Sequence, residues 1–495
     1  MPPISQEVEE SLHQAREGQR DWQEVFIRRR LKMLRAMPSK LCDRASELVE
    51  AVYRPNSSAA DVLASEILPL ADACRFAAKR GRQILAPETH SWRNAAFWMG
   101  RIRVRTLREP WGVVLVLAPS NYPLFLPGVQ VVQALAAGNA VAVKPAPHGT
   151  QAIEELKSCL VQCDVPSELI QILPESIEAG QSAMAAGVDH VLLTGSVETG
   201  RQVLKIASET VTPTTLELSG CDSVFISPQA DLQRAAKCMS YALTLNGGAT
   251  CIAPRRVFVS QDDASGFAKL MIERTEERLK DAAADGFSVP AQVVRALRRH
   301  VKDALAGEAR IIFGQLPDEP EDGQATCKMR PLVLDNVSPN MAVVQSDLFA
   351  PITSLLSVGD MSGAMRADEE CPYSLAASIF APQAYADHWA TQINAGCVVI
   401  NDIVVPTADP RVSFGGRGKS GWGVTRGPQG LLDMTRPKVI CSRRGKWLPH
   451  LDPVAPNQAE LLKTLMQVMH RSSWLDKFSA MRKLIQLGRK SSEGS

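Results

Sequence analysis

The sequence predicts an α/β fold of two doubly wound α/β domains. Three observations carry this. Short, continuous apolar runs end in turn residues, the mark of strands buried on both faces of a parallel sheet. They alternate with stretches whose apolar residues recur at helical spacing, the β-α-β rhythm of a doubly wound sheet. The alternation then starts afresh near Val224.

Residues 7–37 read as one amphipathic helix carrying Trp22, Val25, Phe26 and Leu34, and the basic run Arg28 to Arg30 reads as its solvated face. Residues 41–52 and 59–85 read as further helices, giving an N-terminal helical layer. Residues 101–108 alternate polar and apolar, which predicts a strand with one wet face. The runs 112–119 and 140–144 read as buried parallel strands, joined by a helix over 127–137 and a Gly-Asn turn. A helix over 150–163, strands over 170–173 and 190–193, and a helix over 201–208 complete the first sheet. The second series has strands over 224–226, 256–259, 309–313, 331–334, 353–358, 377–380 and 397–400, with helices over 265–284 and 290–306.

Composition excludes several classes. Of 495 residues, 45% are hydrophobic and 22% charged, which fits neither a disordered chain, a collagen nor a coiled coil. Lys and Arg number 55 against 53 Asp and Glu, so no overall field draws nucleic acid. The 11 cysteines are odd in number and lack a C-x-x-C pair, which implies reduced thiols in a cytoplasmic setting. Cys159 and Cys163 have no His or second Cys pair to complete a metal site, so none is expected. The polar N-terminus does not read as a signal peptide, and no apolar stretch is long enough to span a membrane. From Arg443 onward the chain is basic. Pro449, Pro453 and Pro456 read as an extended connector to helices over 460–469 and 474–487, whose Trp474, Phe478, Met481 and Ile485 suit packing or a partner better than a membrane surface.

Four segments could carry chemistry. Asn121 follows a buried strand, where an amide N–H can meet a developing oxyanion, although turn-forming Asn residues are common. Residues 193–200 (LTGSVETG) read as a Gly-rich strand-to-helix turn; a phosphate site and a plain turn suit them equally. Glu217 stands between two leucines, where burial raises a carboxyl towards the range of a general base, unless it faces water from an edge strand. Cys251 follows a Gly-rich loop that can stabilise a thiolate, whereas an ordinary buried cysteine is the bland alternative.

Their order and spacing, with EPWGVV from Glu109, AAGNAVAVKP from Ala136, LELSG from Leu216, LFAP from Leu348, Asn401 and FGGRGKSG from Phe414, resemble the aldehyde dehydrogenase superfamily over residues 20–442. The short N-terminal region is similar to its compact members. The resemblance implies a Rossmann-like dinucleotide-binding domain over 111–222 with its helical layer over 1–100, and a catalytic domain over 223–410. It further implies an oligomerisation strand over 101–110 and a return over 411–442. The basic extension over 443–495 lies outside it.

The same resemblance implies roles. Cys251 would be the nucleophile, Asn121 an oxyanion donor, and Glu217 the base that hydrolyses the thioester. Lys144, Gly195, Ser196, Gly200, Asp347 and Phe349 would hold NAD or NADP. Tyr122, Thr250, Ile252 and Phe414 would line the aldehyde pocket. The implied partners are a small-molecule aldehyde and further copies of the chain, as a homodimer or homotetramer. The uncharged pocket positions favour an apolar or aromatic aldehyde, with a carboxylate-bearing semialdehyde as the alternative.

Departures from the family pattern are also visible. Pro147 replaces the usual ribose-binding Glu, so NADP should be tolerated. Asp347 is one methylene shorter than the usual Glu, Ala249 replaces a Gln, Ser219 and Cys221 replace Gly and Lys, and Ser413 replaces Pro. Two alternatives stay open: an acylating enzyme that passes the thioester to coenzyme A, against which Glu217 argues, and a catalytically silent scaffold.

Overall fold

The computed structural model describes residues 2–99, 102–282, 285–443, 445, 448, 450–451 and 457–492. The chain divides into two units, Met1–Ala86 with Arg108–Lys438, and Pro87–Leu107 with Val439–Ser495.

The first unit holds both large sheets. One has six strands in the order Gly421–Trp422, Thr214–Leu218, His190–Gly195, Val113–Leu117, Ala140–Lys144, Ile170–Ile172. All neighbours are parallel except Gly421–Trp422, which runs antiparallel to Thr214–Leu218. Val113–Leu117 sits centrally. The next two strands lie to one side and His190–Gly195 to the other, so the winding reverses there and opens a crevice beyond the strand ends. Its Val and Leu side chains are almost wholly buried because helices cover both faces.

The other sheet has seven strands in the order Arg310–Phe313, Leu332–Asp335, Ile352–Val358, Pro254–Ser260, Asp222–Ile226, Ala376–Phe380, Cys397–Ile400. Only Arg310–Phe313 is antiparallel to its neighbour. The helix Leu232–Thr244 and the small strand pair Phe287–Pro290 and Thr326–Met329 join the elements that hydrophobic patterning indicates.

Three local readings are corrected. The first helix breaks: Gln6–Glu24 ends, Val25 and Phe26 are extended, and Ile27–Leu34 begins anew. Arg30 is buried rather than on a solvated face, and its Nη1 donates to the Trp22 and Gln23 carbonyls at 3.4 and 3.5 Å, satisfying the freed helix end. The helix after His190–Gly195 starts at Val197, capped by Ser196, so Gly200 lies inside it rather than in a loop.

The second unit carries most of a three-stranded sheet, Glu88–Thr89, Ile102–Pro110 and Thr435–Arg443. The expected first strand residue Arg101 and the connector prolines 449, 453 and 456 lie outside the described residues. Helices Gln458–His470 and Trp474–Ser492 pack on each other around Thr464 and Ala480, with Lys483 Nζ 2.9 Å from Glu460 Oε1. Among the described residues no helix is long and apolar enough to cross a membrane.

The helical layer contributes one deeply buried ion pair. Arg54 Nη1 lies 3.4 Å from Glu66 Oε1, and both side chains are essentially inaccessible. Glu66 sits in a π-helical turn, Leu63–Ile67, that widens the helix locally. Removing one member of such a pair strands the other charge in a dry interior. Arg54→Met should therefore destabilise the chain by about 3–5 kcal/mol in denaturant unfolding, and Arg54→Met with Glu66→Leu should recover part of that loss.

Candidate active site

The site begins where Val113–Leu117 hands over to the helix Phe125–Ala137. The Leu124 and Phe125 N–H groups, which the helix cannot satisfy itself, donate to Glu66 Oε2 at 2.8 and 2.9 Å. Burial raises the Glu66 carboxyl to about 7, with Arg54 and these N–H groups opposing the rise. In the turn before that helix, Asn121 Oδ1 accepts from the Tyr122 N–H at 3.1 Å. Among the described residues the Asn121 Nδ2 makes no hydrogen bond and remains a donor towards the crevice.

The second loop follows the helix Leu232–Thr244. Asn246, Gly247 and Gly248 all take positive φ, at 49°, 60° and 77°. Gly248 is required twice over, since its left-handed backbone suits glycine and a Cβ would stand 2.2 Å from the Ala350 carbonyl oxygen. Asn246 joins the loops: its Nδ2 donates to the Asn121 and Ala249 carbonyls at 3.1 Å each, and its Oδ1 accepts from Arg54 Nε at 3.4 Å. The Arg54 guanidinium also covers the Tyr122 ring at 4.6 Å, and the Tyr122 hydroxyl lies 2.9 Å from Thr250 Oγ1. Cys251 is thus delivered half-buried against Ile252 and Phe414.

A third strand end brings the carboxyl. Glu217 lies on Thr214–Leu218, buried, with Oε2 accepting from the Thr425 hydroxyl and Oε1 without a hydrogen bond. It is not on an edge, because Gly421–Trp422 and His190–Gly195 pair on either side. Burial raises its carboxyl above the usual range, against the pull of Arg426 and Thr425. Burial also raises the Cys251 thiol well above its ordinary value, Glu217 and Asp222 add to this, and Arg426 opposes it. The resting thiol is therefore protonated and needs an acceptor for its proton. Gly220 lets the strand end approach, since a Cβ there would lie 2.5 Å from the Cys251 carbonyl oxygen.

These groups share a cavity of about 690 Å³ beyond the strand ends. Asn121, Lys144, Gly195, Ser196, Glu217, Cys251, Asp347 and Phe349 all line it. Gly200 does not: it faces Leu218, whose two methyls would lie 3.0 Å from an added Cβ, so it allows the helix to pack closely. Ile252 and Phe414 pack against Cys251, and Tyr122 meets Thr250 beside it, but none of these four residues lines the cavity. Burial lowers the Lys144 ammonium and raises the Asp347 carboxyl to about 7. Arg255 lies 3.6 Å from Asp347 and donates to the Ala350 and Gly248 carbonyls at 2.7 and 2.8 Å, tying the loop of Phe349 to that of Cys251.

The cavity fits a dinucleotide. Its volume suffices, and Ser196 caps the helix Val197–Thr210 by accepting from the Thr199 N–H at 3.1 Å. The first turn of that helix offers unsatisfied N–H groups to a diphosphate at the cavity edge.

Sequence reading missed Arg54, Glu66, Arg255, Thr425 and Arg426. Arg255 alone had a local signal, a charge inside an apolar strand; the others act on residues far away in sequence.

The aldehyde dehydrogenase family profile matches residues 4–440. The 4,4'-diapolycopene aldehyde oxidase of Methylomonas sp is 28% identical over 455 residues, covering 90% of this chain and 84% of that protein. The NADP-dependent glyceraldehyde-3-phosphate dehydrogenase of Bacillus halodurans C-125, solved with NADP, is 26% identical at a TM-score of 0.78, covering 89% and 92% of the two chains. A mutant indole-3-acetaldehyde dehydrogenase of P. syringae, solved with NAD+ and IAA, shares the fold at a TM-score of 0.79 and 22% identity, covering 88% and 89%. With its fold and nearly its whole length matched, the chain belongs to the aldehyde dehydrogenase family.

Proposed function

We propose that this protein oxidises an aldehyde to a carboxylic acid with NAD or NADP, by the hydrolytic route. The observation that carries the reading is Glu217, a buried carboxyl with one free oxygen in the same cavity as Cys251 and Asn121. Water is a far weaker acid and nucleophile than a thiol and has the greater need of such a base, so Glu217 argues for hydrolysis over transfer to a thiol cofactor.

Cys251 Sγ forms a bond to the aldehyde carbon as its proton passes to water in the open cavity. The carbonyl oxygen becomes an oxyanion, met by Asn121 Nδ2 and the Cys251 backbone N–H. When bound, NAD(P) supplies the hydride acceptor that turns this thiohemiacetal into a thioester. Glu217 then takes a proton from water, whose oxygen adds to the thioester carbon. The C–S bond breaks, the acid departs, and the Cys251 thiolate takes up the proton held by Glu217.

Lys144, Gly195, Ser196, Asp347 and Phe349 are the residues assigned to the cofactor, with Gly200 serving through packing. Pro147 and Lys144 both line the cavity. Glu175 accepts from the His148 N–H at 2.9 Å and from the Thr150 N–H and hydroxyl at 3.1 and 2.8 Å, bonds that, against burial, hold its carboxyl below the usual range and its charge near Lys144. The Pro147 side chain itself can neither bond a 2′-hydroxyl nor repel a 2′-phosphate, which supports use of NADP as well as NAD. The strands Ile102–Pro110 and Thr435–Arg443 are assigned to pairing copies into a dimer or tetramer, in a reducing cytoplasmic compartment suited to 11 unbridged cysteines.

Reduced-nicotinamide absorbance over an aldehyde panel, with and without coenzyme A, tests the reaction. Turnover independent of coenzyme A is expected, and acyl-CoA as main product would overturn the hydrolytic route. Cys251→Ala should abolish turnover. Glu217→Gln should keep a first burst of reduced cofactor and lose steady turnover by about 10²-fold or more. NADP should support turnover; turnover with NAD alone would refute the reading of Pro147. Because Glu217 must be ionised to accept a proton and burial raises its carboxyl, deacylation should rise with pH along a limb above the ordinary carboxylate range. Glu217→Gln should remove that limb.

A further inference from the structure

Cys221 stands where the family pattern has a Lys, and the proposed reaction gives it no part. It lies between the strands Thr214–Leu218 and Asp222–Ile226 and is 1% exposed. Its Sγ is 3.3 Å from the Val344 carbonyl oxygen and also shares a hydrogen bond with the thiol of Cys371. The backbone fixes this meeting. Asp222–Ile226 runs parallel to Ala376–Phe380, so the segments leading into both strands lie side by side. A Cβ on Gly220 would stand 3.1 Å from the Leu375 Cβ. Arg256 ties the two segments together: its Nε donates to the Cys221 carbonyl at 3.0 Å and its Nη1 to the Asp368 carbonyl at 3.2 Å. That Asp368 carbonyl also accepts from the Cys371 N–H at 3.0 Å, and the Asp368 carboxylate pairs with Arg256 Nη2 at 2.9 Å.

The two thiols are unequal. The hydrogen bond from Cys221 draws the Cys371 thiol below its ordinary value against burial, and the Arg256 guanidinium helps. The same bond, with burial, raises the Cys221 thiol well above its ordinary value. Burial raises Cys74, Cys159, Cys238, Cys251 and Cys397 as well. Cys371 therefore offers a thiolate, the nucleophilic form, beside a protonated thiol. It is 7% exposed, which suits attack on a molecule as small as hydrogen peroxide.

We propose that Cys371 and Cys221 are a redox modification site, joined as a disulfide by hydrogen peroxide and parted by a thiol reductant, and that the disulfide weakens the hold on the dinucleotide. The Cys371 sulfur attacks one peroxide oxygen. The S–O bond forms, the O–O bond breaks, and the departing hydroxide takes up the proton that Cys371 released, giving water. The Cys221 sulfur then attacks the Cys371 sulfur. The S–S bond forms, the S–O bond breaks, and the hydroxyl leaves with the Cys221 proton as a second water. Two thiols lose two electrons, and the peroxide is reduced to two waters. The neighbouring thiol consumes the sulfenic acid before further oxidation. The link removes the S–H that faces the Val344 carbonyl and draws Cys221 towards Cys371. Val344 leads into Asp347 and Phe349, so this effect rests on their assignment to the cofactor.

The test uses the full chain carrying Cys251→Ala, which takes the proposed nucleophile out of the thiol chemistry, and is repeated on the wild type. Brief hydrogen peroxide treatment, blocking with N-ethylmaleimide in denaturant and peptide mapping should recover a Cys221–Cys371 disulfide, absent before treatment and lost after dithiothreitol. This readout needs neither cofactor nor turnover. Recovery of Cys371 as a free thiol, as a sulfinic acid, or bridged to a different cysteine would overturn the site. Fluorescence titration with NADH and NADPH gives the second arm. The oxidised protein should bind them about fivefold or more weakly, with affinity restored by dithiothreitol. Cys371→Ser should bind them as the reduced protein does, before and after peroxide. A disulfide that leaves affinity unchanged would overturn the effect on the dinucleotide, as would an equal loss after peroxide in Cys371→Ser. If the reduced protein binds neither cofactor, the cofactor reading falls, and with it the effect on the dinucleotide, while the mapping still decides the disulfide.

Discussion

The Arg54–Glu66 pair holds the working parts of this site in one register. Glu66 terminates the helix after the Asn121 turn through two backbone N–H groups, and Arg54 reaches across to Asn246 on the cysteine loop while covering Tyr122. Two loops that belong to different sheets are thereby fixed to one buried charge pair from the helical layer. A dry ion pair adds little net stability by itself, because desolvation offsets most of the attraction. Its value lies in direction: each oxygen and nitrogen has a set partner, so the loops have few alternative arrangements.

Arg255 repeats the device on the other side. It binds the Gly248 and Ala350 carbonyls and faces Asp347, so the loop of Phe349 moves with the loop of Cys251. Glycines permit what the arginines enforce. A side chain at Gly248 would strike Ala350, and one at Gly220 would strike the Cys251 carbonyl. The backbone around Cys251 is thus packed on both flanks, as the geometry of the proposed nucleophile requires.

Electrostatics then divide the labour. Burial keeps both the Cys251 thiol and the Glu217 carboxyl towards their protonated forms, and Arg426 opposes burial at both. Among the described residues Arg426 has no ion-pair partner, so its charge acts on both groups.

The local signals in the sequence were sufficient for the alternating strands and helices, because parallel strands buried on both faces leave continuous apolar runs such as Val113–Leu117. They also singled out Cys251, Glu217 and Asn121, which fold to line one cavity. They were not sufficient for the break at Val25 and Phe26, since periodicity continues across two extended residues when both flanking helices face the same core. Nor could they assign Gly200 to helix packing, a contact made with Leu218 on another element. By itself the sequence determined the alternation of strands and helices and the loops that follow the strands, because those depend on neighbours a few positions away. Only the tertiary structure decided which polar groups meet: Glu66 with the Leu124 N–H, Arg54 with Asn246, Thr425 with Glu217, and, among the described residues, no ion-pair partner for Arg426, because pairing in a buried site is set by distances the chain closes only on folding.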